Sequence, residues 1–547
     1  MAAYVQGGFG TVAVTEVDFQ ATDGSMIHST LQRPNYATDT NQLPGVVIIH
    51  GSLQSKEWLM AFGIELARRG FVALTVDANG HGNSDPGSGA GIAAVEYLAS
   101  LDFVDSSSIG IIGHSMGGGY AWSAVNYSSV VINSVVLVGA GPRENVTYYP
   151  NTLMLIGDFD SLFTRYTTNL TRLEWFFNVT DIELGVTYGD FANGTARRIV
   201  LARTNHLMET IHPKIVSETV EWMKDSLKGG VEDSYWIPST QLIYSIWLIG
   251  GLMGLAGLLL TIFPLFAIFL GHPVFSAVKS ERIDTEPLEI KSFLSYGLLF
   301  SVLGVVLFYP MLIVGGIVGG FIPLLPYYSV PVMTWMIGTG LILLLILRFV
   351  LRRRYDRNLK DILGLTEDND GFFGKILRAL FMGIIIFGWL YLWTVVVDWG
   401  FALDLRCFLP GFNDLTLLQS VFVPLYFVAF LVYFVNESSW YGTILKSVPE
   451  GGFFRSQLNW TLKALFVKCV PYLVLIGIEY GGGLLTGVAI VPGMIGYSFL
   501  FFYAFLPWFA VTTVLALWGE RLSNSIYPAA IVNALMCAWL LATIMAL

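Results

Sequence analysis

The chain has 547 residues, 54 % of them hydrophobic and 13 % charged, which is too long for one ordinary domain and too apolar to be soluble throughout. A net charge of −10, with no basic stripe in the first half, argues against nucleic acid as a partner. All three cysteines (Cys407, Cys469 and Cys537) lie in the second half, so the first half has neither a disulfide framework nor thiolate chemistry.

The average conceals two populations. Residues 1–235 have a soluble composition, whereas 236–547 form a series of long apolar runs, with no internal repeat or low-complexity segment in either. In the first half, residues 11–19 alternate with period two, and Asp23-Gly24 turns the chain into a second strand through His28. Residues 45–50 are a short apolar run that suits a strand buried on both faces, and they lead into His50-Gly51-Ser52-Leu53. A helical pattern at 61–69 precedes the strand 71–76, and another helix is expected at 93–101. Further apolar runs at 109–112, 134–138, 152–156 and 198–202 precede a helix at 215–227. Short apolar strands alternating with helices predict an α/β fold with a mostly parallel sheet covered on both faces.

Within this pattern, Gly113-His114-Ser115-Met116-Gly117 lies between the strand 109–112 and a helix opening near Tyr120. Strand, G-x-S-x-G, helix is the context of a nucleophile elbow, where a serine at a sharp turn needs small neighbours. The hydroxyl of Ser115 is then pushed out of the fold, and the amide of Met116 points to where an oxyanion would form.

With these motifs in order, residues 10–230 resemble the α/β-hydrolase superfamily, in its small esterase, lipase and dienelactone-hydrolase form. The resemblance implies a nucleophile, an acid and a histidine in that chain order, with Ser115 as nucleophile. It selects Asp160 as the acid, after the strand 152–156, with Asp158 as the rival. It selects His206 as the base, with His212 as the rival, while His50, His81 and His114 fall in loops that the family uses structurally. The loop His50-Gly51 would supply the amide of Ser52, or alternatively Leu53, as the second oxyanion donor beside Met116. No metal or organic cofactor is implied. Residues 162–194 are longer than the fold requires, and they form either a lid or partner-binding flap over the site or a surface excursion.

In the second half, about eight membrane spans are expected: 241–270, 291–321, 328–350, 376–397, 416–435, 463–480, 484–518 and 524–546. The seventh is too long to cross straight, so it is tilted, broken near Pro492-Gly493 or kinked at Pro507. Fifteen basic residues, from Lys279 and Arg282 to Arg521, fall in loops on one side, against only Arg406 on the other. Positive-inside then puts residues 1–235 outside the cytoplasm of a multi-pass cell-membrane protein. The five sequons at Asn126, Asn145, Asn169, Asn178 and Asn193 agree with a glycoprotein, and those at Asn436 and Asn459 should be unused. The first residues show no charged or apolar signal region, so export would rest on a missing signal or on the first span.

Residues 435–445 and 521–535 faintly resemble two motif regions of the CAAX-protease and bacteriocin-processing membrane family. The positions read Asn436-Glu437 with Tyr441, and Asn533 where a histidine would be expected, so that resemblance implies a lost protease site. Lys468 is the candidate for a buried functional charge, with Glu437 or Glu479 as partner, against snorkelling to an interface. The expectation is therefore a serine hydrolase of 1–235, anchored in the bilayer by a helical domain of 236–547. It would cleave an ester, thioester or amide of an acyl-containing or lipid-like substrate. The alternative is a hydrolase-like binding or scaffold module on a transporter or envelope assembly.

Overall fold

Eight strands form one sheet in the order β1-β2-β4-β3-β5-β6-β7-β8. They are β1 (Val12–Gln20), β2 (Met26–Pro34), β3 (Leu43–Ile49), β4 (Val72–Val76), β5 (Val104–His114), β6 (Ser134–Val138), β7 (Asn151–Gly157) and β8 (Arg197–Ala202). The computed structural model describes residues 1–280, 288–322, 325, 326, 328–365, 369–446 and 451–544. Arg282 and the end of the last expected span therefore lie outside the described residues.

The hairpin β1–β2 and the pair β2–β4 are antiparallel, and every other pairing is parallel. The second strand runs on to Pro34, past the expected end at His28, because its later residues pair with β4 as well as with β1. In β3, Val47 and Ile49 enter one core and Val46 and Ile48 the other, as the two-residue period of a strand requires. The first core is covered by α3 (Ala90–Ala99) and α4 (Met116–Tyr127), and the second by α2 (Met60–Ala67) and α5 (Pro213–Leu227). The second core also takes in Tyr244, Trp247 and Cys407 from the apolar half. A short helix, α1 (Ala2–Gln6), lies against the same region, with Trp247 Nε1 donating to Gln6 Oε1 at 3.1 Å.

Among the described residues, seven helical stretches are long and apolar enough to cross a membrane. They are α6 (Tyr244–Gly271), α9 (Ser329–Tyr355), α10 (Gly371–Phe401), α11 (Leu417–Gly442), α12 (Phe453–Thr486), α13 (Gly493–Ser523) and α14 (Tyr527–Ile544). The pair α7 (Ile290–Val306) and α8 (Phe308–Gly319), bent by 41°, makes an eighth if counted as one span. The expected sixth and seventh runs divide differently: α12 takes residues up to Thr486, and Pro492, in an extended conformation, caps α13. The break therefore falls at Pro492-Gly493, and Pro507 stays inside the helix. The apolar window of α14 is 83 % buried, against 22–50 % in the others, which makes it the hub of the bundle.

The sheet region and the bundle are joined through polar contacts as well as apolar ones. Glu65 Oε1, on α2, accepts from the backbone N–H of Ile243 at 2.6 Å and of Tyr244 at 2.9 Å. A carboxylate there satisfies amides that the first turn of α6 leaves free and complements its dipole. Neighbouring Arg69 is buried and donates to the carbonyls of Ile237 and Pro238 in the connection. On the other side, Arg406, in the loop between α10 and α11, is buried against Asp404 at 2.7 Å and Glu57 at 3.6 Å. Glu57 in turn pairs with Lys56 at 2.9 Å, and Lys56 with Glu16 at 2.9 Å. The one basic residue expected on the outer side is thus committed to a buried network between the two regions.

Candidate active site

β5 ends at His114 and α4 begins at Met116, so Ser115 alone makes the turn, at φ 50° and ψ −113°. Left-handed backbone at a non-glycine residue costs roughly 1–3 kcal/mol and persists only where its surroundings enforce it. Here a Cβ at Gly113 would come within 2.3 Å of the Gly117 carbonyl oxygen, and one at Gly117 within 2.2 Å of the Ile49 carbonyl oxygen. The two glycines let strand and helix approach closely enough to hold the turn.

His206 lies in the loop after β8, and its Nε2 is 2.9 Å from Ser115 Oγ. Its Nδ1 is 2.8 Å from Asp160 Oδ2. A carboxylate only accepts, so in the neutral ring Nδ1 carries the proton and Nε2 accepts from the serine hydroxyl. Asp160 follows β7, and its Oδ1 accepts from the amides of Leu162 at 2.7 Å and Phe163 at 3.2 Å, which fixes the carboxylate. The rivals go elsewhere: Asp158 pairs with Arg203 at 3.0 Å, and His212 immediately precedes the first residue of α5. A serine, imidazole and carboxylate in this order can move the hydroxyl proton to the ring and stabilise the resulting imidazolium.

The loop 50–53 closes against the serine: a Cβ at Gly51 would lie 3.0 Å from Ser115 Cβ. Its shape is held by Gln54, whose Oε1 takes the Gly51 amide at 2.8 Å and faces His114 Nδ1 at 2.9 Å. His50 accepts from the Ala78 amide at 3.0 Å while Nδ1 faces the Gly51 carbonyl at 2.7 Å, and burial pushes its pKa down to about 3. His50 therefore stays neutral and structural. Ser52 and Leu53 line the same cavity as Ser115, and Met116 opens α4, where first-turn amides lack helical partners.

The cavity over Ser115 has an empty volume of about 680 Å3, part of it open to solvent. One wall is the elbow, His206 and the loop 50–54; the opposite wall is Tyr497, Leu500, Phe501, Ala504 and Phe505 of α13. The segment 162–194 does not line this cavity. It folds back on the sheet, with Leu173, Phe176 and Phe177 in the first core, and Phe163 just outside it stacks on the His206 ring at 5.8 Å. The covering that the sequence suggested for 162–194 is supplied instead by a membrane-type helix more than 300 residues further on.

The model of the alpha/beta hydrolase family matches residues 46–224. The N-terminal region has the α/β-hydrolase fold. Among solved structures, it is similar to DcsB in complex with its substrate analogue, at 16 % identity, covering 39 % of this chain and 99 % of that one, with a TM-score of 0.29. An esterase of Pyrococcus furiosus matches at 13 % identity over 40 % of this chain and 96 % of its own, with a TM-score of 0.29. A bacterial heroin esterase matches at 15 % identity over 40 % and 86 %, again at 0.29. No curated protein matches the chain.

Around Ser115 and His206, the structure adds groups that local sequence reading does not single out. Glu209 is fully buried, with Oε2 at 3.4 Å from His206 Nδ1 and 3.5 Å from His114 Nε2, and Oε1 accepting from the Gly157 amide at 2.5 Å. Burial opposes charge on His206, but the Asp160 and Glu209 carboxylates outweigh it and raise its pKa above the ordinary imidazole range. Burial raises Asp160. Burial, with His206 beside it, pushes His114 down to about 3. His114, His206 and Glu209 bring ligand atoms within 4.8 Å of one another, a spacing that could hold a metal ion. Both His206 nitrogens already face Asp160 and Ser115, so a metal there would compete with that chain. The only local cue to Glu209 is its place three residues after His206.

The bundle also touches the histidine loop. Asn205 Nδ2 is 3.2 Å from Glu479 Oε2, which accepts from Tyr503 at 2.6 Å, and Glu479 sits on a π-helical turn within α12. Lys468 is buried and pairs with Glu437 at 2.8 Å and with the Tyr433 hydroxyl, so of its two candidate partners Glu437 is the one it meets. Asn436 and Asn533 are also buried in the bundle interior.

Proposed function

We propose that the chain is a membrane-anchored serine hydrolase that cleaves an ester, thioester or amide through an acyl-enzyme. Ser115 attacks the carbonyl, His206 takes its proton and returns it to the leaving group, and Asp160 holds the imidazole in the required tautomer. The amides of Ser52 and Met116 receive the oxyanion, an interaction worth about 3–4 kcal/mol per donor in comparable sites. The observation that carries this reading is the unbroken hydrogen-bonded chain from Ser115 through His206 to Asp160 at the bottom of a cavity. Labelling with a fluorophosphonate probe tests it: wild type should label and Ser115→Ala should not. Equal labelling of the two, or none of either, refutes it.

In this proposal, residues 1–235 act outside the cytoplasm and 236–547 span the membrane, as the basic loops suggest. Asn145, Asn169, Asn178 and Asn193 are exposed, as glycan acceptors would need to be, and Asn436 is buried. An acyl-containing or lipid-like substrate follows from the address of the site. Proteolysis of intact cells that leaves the first domain protected would overturn the sidedness.

A second reading makes the bundle the working part, as a transporter or envelope-assembly subunit carrying a non-catalytic hydrolase fold. It draws on the Lys468–Glu437 pair, an expensive arrangement away from water. It requires an unreactive Ser115, so the same labelling experiment decides between the two.

A further inference from the structure

A second cavity lies deeper in the bundle, with an empty volume of about 450 Å3, part of it open to solvent. It shares Pro410, Phe505 and Ile544 with the cavity over Ser115, so the two adjoin across one wall of three apolar side chains. Its far side is formed by Phe434 on α11 and by Cys537 and Leu541 on α14. Trp508 also lines it, but its Nε1 is committed to the Pro410 carbonyl at 2.7 Å, so the indole offers the cavity no free donor. Such a space suits water poorly, because a buried water needs two to four polar partners. Left empty, it forfeits dispersion contacts along its whole lining. A hydrocarbon satisfies both conditions.

Resting on the hydrolase reading above, we propose that this pair of cavities is a subsite for a long straight hydrocarbon chain of the ester substrate. The scissile carbonyl lies at Ser115, and the chain runs past Phe505 into the space between α11 and α14. A short chain fills the first cavity alone and a long one reaches the second. The membrane helices are thereby the specificity pocket of the hydrolase as well as its anchor.

The test uses the full chain in lipid nanodiscs. kcat/KM is measured for 4-nitrophenyl esters of four-, eight- and sixteen-carbon acids, and for acetate esters of alcohols of the same lengths. These two arms tell whether the acyl or the alcohol side carries the chain. Wild type should favour sixteen carbons in one arm. Leu541→Trp and, separately, Cys537→Phe fill the deeper cavity and should cut the sixteen-to-four-carbon ratio at least tenfold with four-carbon turnover kept. Retained four-carbon turnover also shows that the variants are folded. A ratio that stays within twofold of wild type in both variants overturns the proposal.

A second measurement is independent of turnover. Palmitic acid with a diazirine at its terminal carbon is photo-crosslinked to Ser115→Ala and the adducts are mapped. Adducts should fall on the peptides that hold Phe434 and Leu541; adducts confined to outward-facing residues such as Leu345 and Phe349 count against the subsite. If no ester is cleaved and no probe labels Ser115 while the adducts still map to Phe434 and Leu541, the hydrolase reading fails and the hydrocarbon subsite stands.

Discussion

The sheet region and the bundle bury charge in opposite ways. In the sheet region, the buried Asp160 and Glu209 carboxylates lie 2.8 and 3.4 Å from Nδ1 of the buried His206, beside a solvent-reachable serine. The low dielectric there magnifies each charge and makes proton movement between partners feasible. In the bundle, Lys468 and Glu437 are buried as a pair among aromatic rings, with the Phe300 and Phe509 rings each 4.9 Å from the ammonium. On the proposed reading, the cluster of charge around Ser115 serves the chemistry. In the bundle pair, replacing one partner leaves the other uncompensated away from water.

The sharpest way to break that contrast is at the nucleophile. Ser115→Ala should lower kcat by roughly 10^4–10^6-fold with folding intact, measured by ester turnover and thermal unfolding. Asp160→Asn should cost about 10^4-fold, because the ring loses the acceptor that fixes its tautomer. Near-wild-type turnover in either variant would remove the sheet region's claim to chemistry.

The charges that join the regions should act on stability. Arg406→Met strands Asp404 in a buried site and should destabilise the chain by about 3–5 kcal/mol, read as a lower unfolding midpoint. Lys468→Met should also destabilise, without changing the pH profile of turnover, if the bundle pair is structural. A shifted profile would place the pair in the chemistry.

The subtlest effect concerns Glu209. Its carboxylate helps raise the pKa of His206, and the base must be neutral to accept the serine proton. Glu209→Gln removes a negative charge, makes the imidazolium less favourable and lowers that pKa. The acid limb of kcat/KM should therefore move to lower pH, by on the order of one unit. An unmoved limb would show that Glu209 acts on the Gly157 turn alone.

What could be read in the sequence was what local pattern and short spacing encode. The strands β3, β4 and β6 to β8 match apolar runs, β5 starts five residues before its run at Ile109, and the elbow at Ser115 declares itself through its glycines. The family's order then led to Asp160 and His206, which the fold brings to one point from 45 and 91 residues away from the serine. The roof of the site was not legible. Tyr497 and Phe505 belong to a helix whose pattern specifies only that it is apolar, and which of its faces meets a sheet formed hundreds of residues earlier is decided by packing. Residues 162–194 carry the aromatic residues of a lid, yet Phe176 and Phe177 serve the first core, and Trp175 is exposed. Glu209 and Gln54 were missed for a related reason: an acid or amide near a loop is ordinary until the fold buries it.

The sharing of the second core has a consequence for the order of assembly. Tyr244 and Trp247 come from the first apolar helix, α6, and Cys407 from the loop between α10 and α11, yet all three pack with β3, α2 and α5. That face of the sheet cannot be completed while the chain emerging from the ribosome is still short of residue 247, and its last contact arrives only after residue 407. The first region made is therefore among the last to finish folding, and its final stage waits on the packing of the apolar helices against it.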